Sequence, residues 1–233
     1  MSTRCAPSIA LVLFALLALP LAGGAAERPT LPEFGEEIYV LADEPFVVPI
    51  ESGLPVRIRF GVGEIDISAS PADEVRADLE VRCRRTLSEA LCEKYRRRLR
   101  LEPRERGDRI EVRWVGLSRW KLRKLRLEGT VYVPVSSPLE VRIGVGDIDI
   151  HTAGQDLAVQ MGIGDLSVFA PERSVGEVEI ATRIGDASLS DGRSTREGGR
   201  RLLLGSRLRW SDGSGDGRVT VALKIGDAKV TLE

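Results

Sequence analysis

The strongest constraint on the fold of this chain is a short element that recurs along it: an apolar residue, a glycine, and then an acidic or small polar residue. From Gly146 onward, successive glycines of this element are 18, 21, 20 and 21 residues apart. A period of about 20 residues over five copies is typical of repeats that stack on one another. With one earlier copy, the elements are Val62-Gly63-Glu64, Val145-Gly146-Asp147, Ile163-Gly164-Asp165, Ile184-Gly185-Asp186, Leu204-Gly205-Ser206 and Ile225-Gly226-Asp227.

Each copy continues with apolar residues at alternate positions, such as Ile148 and Ile150 or Leu166 and Val168. Alternation places one face of a β-strand against a core and the other face in water. A two-strand unit of about 20 residues cannot bury its own apolar face, so a neighbouring copy has to cover it. The sequence therefore predicts an all-β fold: a stacked, solenoid-like β-repeat domain with a short helix and a basic hairpin inserted. A β-sandwich is the alternative.

The repeated glycines have a structural role in this interpretation. Glycine within a strand pattern marks a bend, a bulge or a close approach of backbones, because it has no Cβ and tolerates positive φ. The Gly205 copy has Ser206 in the acidic position and apolar residues out of register, so we expect an irregular rung there. The segment DGSGDG at 212–217 reads as a turn and STREGGRR at 194–201 as a loop. The predicted structural glycines are Gly63, Gly146, Gly164, Gly185, Gly205 and Gly226.

The recurring Gly-Asp element on β-repeats resembles the bacterial putative-adhesin family of unknown function, the toast-rack or head-GIN type of β-solenoid-like domain. The resemblance covers about residues 141–233, is weaker over 56–81, and is absent from the Arg-rich insert at 82–130. It implies an extracytoplasmic all-β domain with no known catalytic residues, and it transfers no site residue.

The first 26 residues have the order of a secretory signal peptide. Arg4 precedes the apolar run at 9–23, and small residues follow up to Ala26. The run is shorter than the roughly 20 residues of a membrane-spanning helix, so we expect cleavage after Ala26, with an uncleaved anchor as the alternative. The chain is then an exported bacterial protein, periplasmic, surface-bound or secreted.

The remaining chain divides into an acidic lead-in at 27–55 and a single all-β repeat domain at 56–233. In the lead-in, VLADEPFVVPI is expected to supply one strand, and residues 56–81 supply a first rung and its partner strand. Within the insert, 109–115 and 125–135 read as two strands of a hairpin. The repeats occupy 141–233.

The insert carries most of the positive charge. Between Arg82 and Arg126 there are 17 Lys or Arg and 6 Asp or Glu, a local net charge of +11 in a chain whose net charge is −1. Basic charge mixed with tryptophan suits an anionic lipid head group or acidic polysaccharide; the alternative is a solvated segment whose tryptophans cover the end of the stack. Export argues against nucleic acid. The candidate partner-binding residues are Arg96, Arg97, Arg98, Arg100, Trp114, Trp120 and Lys121.

Two cysteines remain after the signal. Cys83 ends an alternating run, and Cys92 lies in a short predicted helix with Ser88 as its N-cap. An even pair in an exported chain predicts one disulfide, with two free thiols as the alternative. Neither cysteine has the neighbours of a zinc site.

The acidic positions of the repeat are the candidate metal ligands: Asp147, Asp165, Asp186 and Asp227, with Glu64 in the first copy. Stacked rungs would align these carboxylates in a column, and calcium would relieve their repulsion. The alternative, which we favour, is that each carboxylate bonds the backbone of its own turn, with Arg142, Arg183 or Lys224 balancing the charge.

The sequence contains no recognisable catalytic set. The single histidine, His151, reads as an exposed turn residue, and no nucleotide loop or zinc motif is present. We therefore expect a non-catalytic envelope binding or scaffold protein, adhesin-like and without a cofactor, whose insert contacts an anionic envelope component; another envelope protein is the alternative partner. A purely structural module and a calcium-stabilised repeat protein are the alternatives.

Overall fold

The computed structural model of the protein describes residues 45–51, 53–83, 87–201, 204–211 and 213–233. These residues belong to one compact unit, Glu37–Glu233. The predicted signal peptide, its predicted cleavage site and the lead-in up to residue 44 lie outside the described residues.

Strands dominate the described chain, and this confirms the all-β class. The helices are α1 (Glu89–Arg96) and α2 (Arg119–Leu122), with one 3-10 turn at Glu172–Ser174. The strands are β1 (Phe46–Pro49), β2 (Val56–Ser70), β3 (Glu74–Cys83), β4 (Arg100–Arg106), β5 (Arg109–Val115), β6 (Leu125–Pro134), β7 (Leu139–His151), β8 (Leu157–Ile163), β9 (Leu166–Ala170), β10 (Val175–Ile184), β11 (Ala187–Ser190), β12 (Thr195–Glu197), β13 (Gly199–Arg201), β14 (Gly205–Trp210), β15 (Gly217–Ile225) and β16 (Ala228–Leu232).

Each regular repeat forms one rung with an arm before the Gly-Asp bend and an arm after it. In β2 and β7 the strand continues through the bend, and the two pair in parallel register from Val56↔Leu139 to Ser68↔His151. In the later repeats the bend separates two strands, as it separates β8 from β9. The arms pair in parallel with the same arms of the neighbouring rungs. The stacked domain is confirmed.

The rungs do not stack in chain order. The last repeat, β15 and β16, lies between the rung of β8 and β9 and the rung of β10 and β11. Ile225 consequently pairs with Ile163 on one side and with Ile184 on the other. The C-terminal strands are therefore held on both sides instead of forming an open edge.

The core is built from the alternate apolar residues of both arms. Ile150, Val168 and Val230 are fully buried after the bend, as Val141 and Val219 are before it, and all belong to one hydrophobic cluster. Burying a side chain of this size contributes up to about 1.5–3 kcal/mol. Because every rung adds the same pattern, repetition itself supplies the core.

The Gly205 copy is irregular, as expected. Its strand β14 pairs with β10 in the antiparallel direction, in contrast to the parallel rungs. The bend at 213–216 then connects β14 to β15, in agreement with the predicted turn. The loop predicted at 194–201 is wrong, because this segment forms the short strands β12 and β13, which pair with β11 and β14. Strand β12 therefore lies beside β11, and β13 lies beside β14, at the end of the stack formed by the rung of β10 and β11.

The insert differs from its prediction in strand pairing. Helix α1 begins after Ser88 as predicted, although the Ser88 hydroxyl makes no capping hydrogen bond. The hairpin predicted from 109–115 and 125–135 is wrong: β5 forms its hairpin with β4, around Gly107. Both β5 and β6 pair in parallel with β2, the former with its first residues and the latter with its last.

Cys83 and Cys92 lie at disulfide distance, as predicted, with their Cα atoms 5.9 Å apart. Cys83 ends β3 and Cys92 is buried in α1. The bond ties the first turns of the helix to the edge of the sheet. The predicted lead-in strand is also present as β1, which pairs with β3.

Candidate functional site

A gap in the sheet beside β2 creates the main candidate site. On this side of β2, pairing with β5 ends at Arg59↔Arg113, and pairing with β6 begins at Gly63↔Leu127. Residues 60–62 therefore lack a neighbouring strand on this side within the described chain. The connection from β5 to β6, which contains α2, spans this gap.

The turn after β5 fixes the course of that connection. Gly116 has φ of +88°, and a Cβ built on it would overlap the carbonyl oxygen of Arg98. Only glycine allows the chain to turn so closely against the end of α1. Leu117 and Leu122 then pack against the core and hold α2 beside the gap.

The gap is a cleft of about 590 Å³, which we call the basic cleft. Its walls come from β2, β5, α2, β6 and β7. The lining residues in the described chain include no Ser, Cys, His, Asp or Glu. The apolar lining residues are Phe60, Val62, Trp114, Leu122, Leu125, Leu127 and Val145, with Gly61 and Gly144 between them.

Four arginines also line the basic cleft: Arg59, Arg113, Arg119 and Arg123. Arg59 pairs with the buried carboxylate of Glu111, 3.1 Å away, which also pairs with Arg106. The other three form no ion pair with a carboxylate of the described residues. Three unpaired guanidinium groups around an apolar cleft leave a positive potential there, because nothing in the lining opposes it.

Two side-chain donors in the lining are buried without a partner in the described structure. They are Nε of Arg113 and Nε1 of Trp114. Buried donors are normally satisfied, so each one left open needs a bound ligand or water to recover its hydrogen bond. Both atoms are almost completely shielded from solvent, and Trp210 Nε1, outside the cleft, is in the same state.

The four arginines predicted from α1 and its C-terminal end do not form one free cationic cluster. Arg96 and Arg97 share the carboxylate of Glu93, at 3.2 and 2.7 Å. Arg100 is exposed but donates to the carbonyl oxygens of Arg97 and Leu99. Arg98 is exposed. The role of these four arginines in partner binding stays a prediction. The positive charge that they offer to a partner is smaller than the sequence indicates, because Glu93 pairs with two of them.

The two predicted tryptophans have different environments. Trp114 is half-buried, and its ring lies 5.2 Å from that of Phe46 in an edge-to-face contact. This environment agrees with the alternative given above, in which the tryptophans cover the end of the stack. Trp120 is 75% exposed, and the guanidinium of Arg123 lies 5.1 Å from its ring centre. Lys121 lies over the buried ring of Tyr95 at 5.6 Å.

Sequence reasoning missed all four arginines of the basic cleft. Arg119 and Arg123 flank Trp120 and Lys121 in the segment SRWKLRK, and their basic-aromatic pattern is a usable signal. Arg59 and Arg113 are far apart in sequence and meet only because β2 pairs with β5.

The acidic residues of the repeat form the predicted column, in the order Glu64, Asp147, Asp165, Asp227 and Asp186. Oδ1 of each of three aspartates accepts the backbone N–H of the acidic residue in the next rung. The N–H groups of Asp165, Asp227 and Asp186 donate to Asp147, Asp165 and Asp227, at 3.1, 3.1 and 2.8 Å.

This geometry corrects the expectation that each aspartate bonds its own turn, because the bonds join neighbouring rungs. Arg142 also differs from expectation, since it pairs with Glu140 at 2.7 Å. Among the described residues, no group of three metal-ligating side chains converges. The column acts as a set of rung-to-rung hydrogen bonds, and its use by calcium stays a hypothesis.

The repeated glycines form a second column beside the acidic one. Gly146, Gly164, Gly226 and Gly185 have φ between +119° and +140°. A Cβ built on any of these four would overlap the carbonyl oxygen of the glycine in the adjacent rung. Gly205, in the irregular rung, has no positive φ, and a Cβ built on it would lie 2.5 Å from the carbonyl oxygens of Thr182 and Arg183.

His151 is exposed, as predicted, but it ends strand β7 instead of lying in a turn. Its ring stacks on Phe169 of the next rung, with ring centres 4.6 Å apart. The contact extends the stacking of the rungs.

Comparison with known proteins adds little about function. No family model and no curated protein matches the sequence. A crystal structure described as a putative cell adhesion protein from Clostridium sporogenes is similar over 82% of this chain and 99% of that chain, with 13% sequence identity and a TM-score of 0.45. Its description agrees with the adhesin-like resemblance, and nothing supports the finer toast-rack type. A likeness at this TM-score carries no argument, so the function has to be argued from the site.

No helix in the described residues is long and apolar enough to cross a membrane. The paired cysteines are compatible with an exported protein.

Proposed function

We propose that this protein is a non-catalytic, adhesin-like binding protein of the bacterial cell envelope, and that its basic cleft holds an anionic partner. The observation that carries the proposal is the cleft itself: among the described residues, Arg113, Arg119 and Arg123 pair with no carboxylate, and no acidic residue lines the cleft. Arginine suits this role because its planar guanidinium binds phosphate or carboxylate through two hydrogen bonds.

The proposal assigns no reaction to the cleft. Its lining supplies arginines, apolar side chains and glycines, and these include no nucleophile and no general acid or base that titrates near neutral pH. We therefore propose binding without a chemical step at this site. Export places the partner among envelope components, of which anionic lipids and acidic polysaccharides are the candidates.

Reversing cleft charges tests the proposal. The Arg119→Glu/Arg123→Glu variant changes two exposed residues, so its melting temperature should stay within a few degrees of that of the native protein. The matched control is Arg173→Glu/Arg193→Glu, which makes the same net-charge change at exposed residues of the repeats that form no ion pair in the described structure.

The measurement is binding to two anionic probes, phosphatidylglycerol vesicles and soluble alginate, at low and physiological salt. Each basic residue near an anionic surface contributes about 1 kcal/mol, so the double reversal should weaken binding by at least about 30-fold. The control should retain most of the affinity, and added salt should weaken binding by the native protein. If the native protein binds neither probe, or if the cleft and control variants lose affinity equally, the proposal is wrong.

A purely structural module is the second candidate. It is favoured by the rung-to-rung hydrogen bonds of the acidic column, which explain the repeated aspartates through folding alone. Absence of binding to both probes, together with an intact fold, would favour this function.

A further inference from the structure

A row of exposed aliphatic side chains crosses the stack and begins at the basic cleft. It consists of the residues that precede the repeated glycines, and we call it the aliphatic row. Val145, Ile163, Ile225 and Ile184 are 43%, 47%, 42% and 46% exposed, and the strand register places them next to one another in this order. A contiguous exposed apolar strip of this kind marks a binding surface.

A groove lies on the opposite face of the same strands, and none of the four row residues lines it. It has a volume of about 820 Å³, and Gly144 lines both the groove and the cleft. Arg142 and Gln160 line its near end together with Gly144 and Gly162, and Arg183 and Lys224 line its far end. From Val145 to Ile184 the row spans three strand spacings, about 14 Å.

The charges on the two sides of the row determine how a ligand would lie. The acidic column follows the row two residues later on each rung, at Asp147, Asp165, Asp227 and Asp186. These carboxylates repel a phosphate along the row, except near Arg183 and Lys224 at its far end, whereas the arginines of the cleft attract one. An uncharged chain on the row and an anionic group in the cleft therefore satisfy both surfaces.

We propose that the ligand of the basic cleft is an anionic phospholipid, with its phosphate head group at Arg113, Arg119 and Arg123 and an acyl chain along the aliphatic row. This inference rests on the proposed function and adds the class of ligand. An acidic polysaccharide fits less well, because it has no apolar segment to cover the row. A second copy of the chain fits less well, because pairing two rows would bring two acidic columns together.

The probe is 1-palmitoyl-lysophosphatidylglycerol below its critical micelle concentration, titrated by calorimetry. Glycerophosphoglycerol, the head group alone, and 1-palmitoyl-lysophosphatidylcholine, a zwitterionic lipid with the same chain, are the ligand controls. Phosphatidylglycerol vesicles distinguish a lipid within a membrane from a free lipid. The lysophosphatidylglycerol should bind at least about tenfold more tightly than either control ligand.

Two variants test the two parts of the surface. Gly61→Leu fills the basic cleft, and it should fold because a Cβ on Gly61 meets no atom within 4 Å. Gly199→Leu on β13 is the matched control, since Gly199 also faces open space. Ile163→Ser/Ile225→Ser removes apolar surface from the middle of the row. The cleft and row variants should each lose at least about tenfold in affinity for the lysolipid, and the control should lose little.

The outcomes separate this inference from the proposed function. If the head group alone binds as tightly as the lysolipid, or if the row variant retains full affinity, the phospholipid assignment is wrong while the anionic cleft stands. If cleft charge reversal leaves binding to anionic probes unchanged, the proposed function fails as well. Sedimentation that shows the row variant dissociating a dimer, without a change in lipid affinity, would assign the row to self-association and overturn the inference.

Discussion

Replacing Gly164 by alanine should destabilise the protein more than its small change in size suggests. Gly164 has φ of +131°, a conformation that costs an alanine about 1–3 kcal/mol. The added Cβ would also overlap the carbonyl oxygen of Gly146 in the neighbouring rung. Forcing the rungs apart to relieve such an overlap costs about another 1–3 kcal/mol.

The expected loss is therefore about 2–6 kcal/mol, a large share of the roughly 5–15 kcal/mol that stabilises a typical domain. For a domain of this size, the middle of that range lowers the melting temperature by roughly 10 °C. Urea unfolding followed by far-ultraviolet circular dichroism measures the change in the free energy of unfolding.

The matched control is Gly61→Ala. Gly61 lies in the same kind of strand, two residues before a repeated glycine, but its φ is not positive and its Cβ would meet no atom within 4 Å. Its substitution should change stability by less than about 0.5 kcal/mol. Equal effects of the two substitutions, or a loss below 1 kcal/mol for Gly164→Ala, would refute the idea that glycine contacts between rungs hold the stack together.

Three further predictions concern other parts of the fold. Burial alone would raise the pKa of Glu140, but hydrogen bonds from Arg57 and Arg142 lower it below its ordinary value of 4.5; its stabilising contribution is therefore present above that value and lost as pH falls through the folded pKa. Glu140→Gln should cost about 1–3 kcal/mol at neutral pH and progressively less in acid, and a cost independent of pH would contradict the assignment. Cys83→Ser/Cys92→Ser should lower the free energy of unfolding by about 2–3 kcal/mol, since the bond closes a short loop, and an unchanged urea midpoint would show that the disulfide adds nothing. Calcium should leave the melting temperature unchanged because Asp147, Asp165 and Asp227 each already accept an N–H group, whereas a rise of several degrees would establish a calcium site.

The repeat could be predicted from the sequence because each rung carries the same local pattern. The bend glycines, the alternation after them and the column of acidic residues all follow from a 20-residue period. The order of the rungs could not be predicted, because nearly identical elements are interchangeable as neighbours. Nothing in Ile163, Ile184 or Ile225 indicates that the last copy lies between the other two.

The strand pairing within the insert also could not be predicted from the local sequence pattern. The segment RLEPRER of β4 has almost no apolar residues and a proline, so it does not read as a strand. It is nevertheless strand-paired along its whole length with β5. The sequence pattern therefore predicts that β5 forms a hairpin with the next alternating segment, β6. The basic cleft depends on this long-range pairing, so its location required the three-dimensional structure.

The most direct test of a ligand in the basic cleft is the indole N–H signal of Trp114 in a nuclear magnetic resonance titration with lysophosphatidylglycerol. The chain has three tryptophans. Trp114 lines the cleft, whereas Trp210 lies on β14, separated from β7 by β8, β15 and β10. The account predicts that the Trp114 signal shifts with increasing lipid and that the Trp210 signal does not. A titration in which Trp114 stays unchanged, or in which Trp210 alone moves, would contradict it.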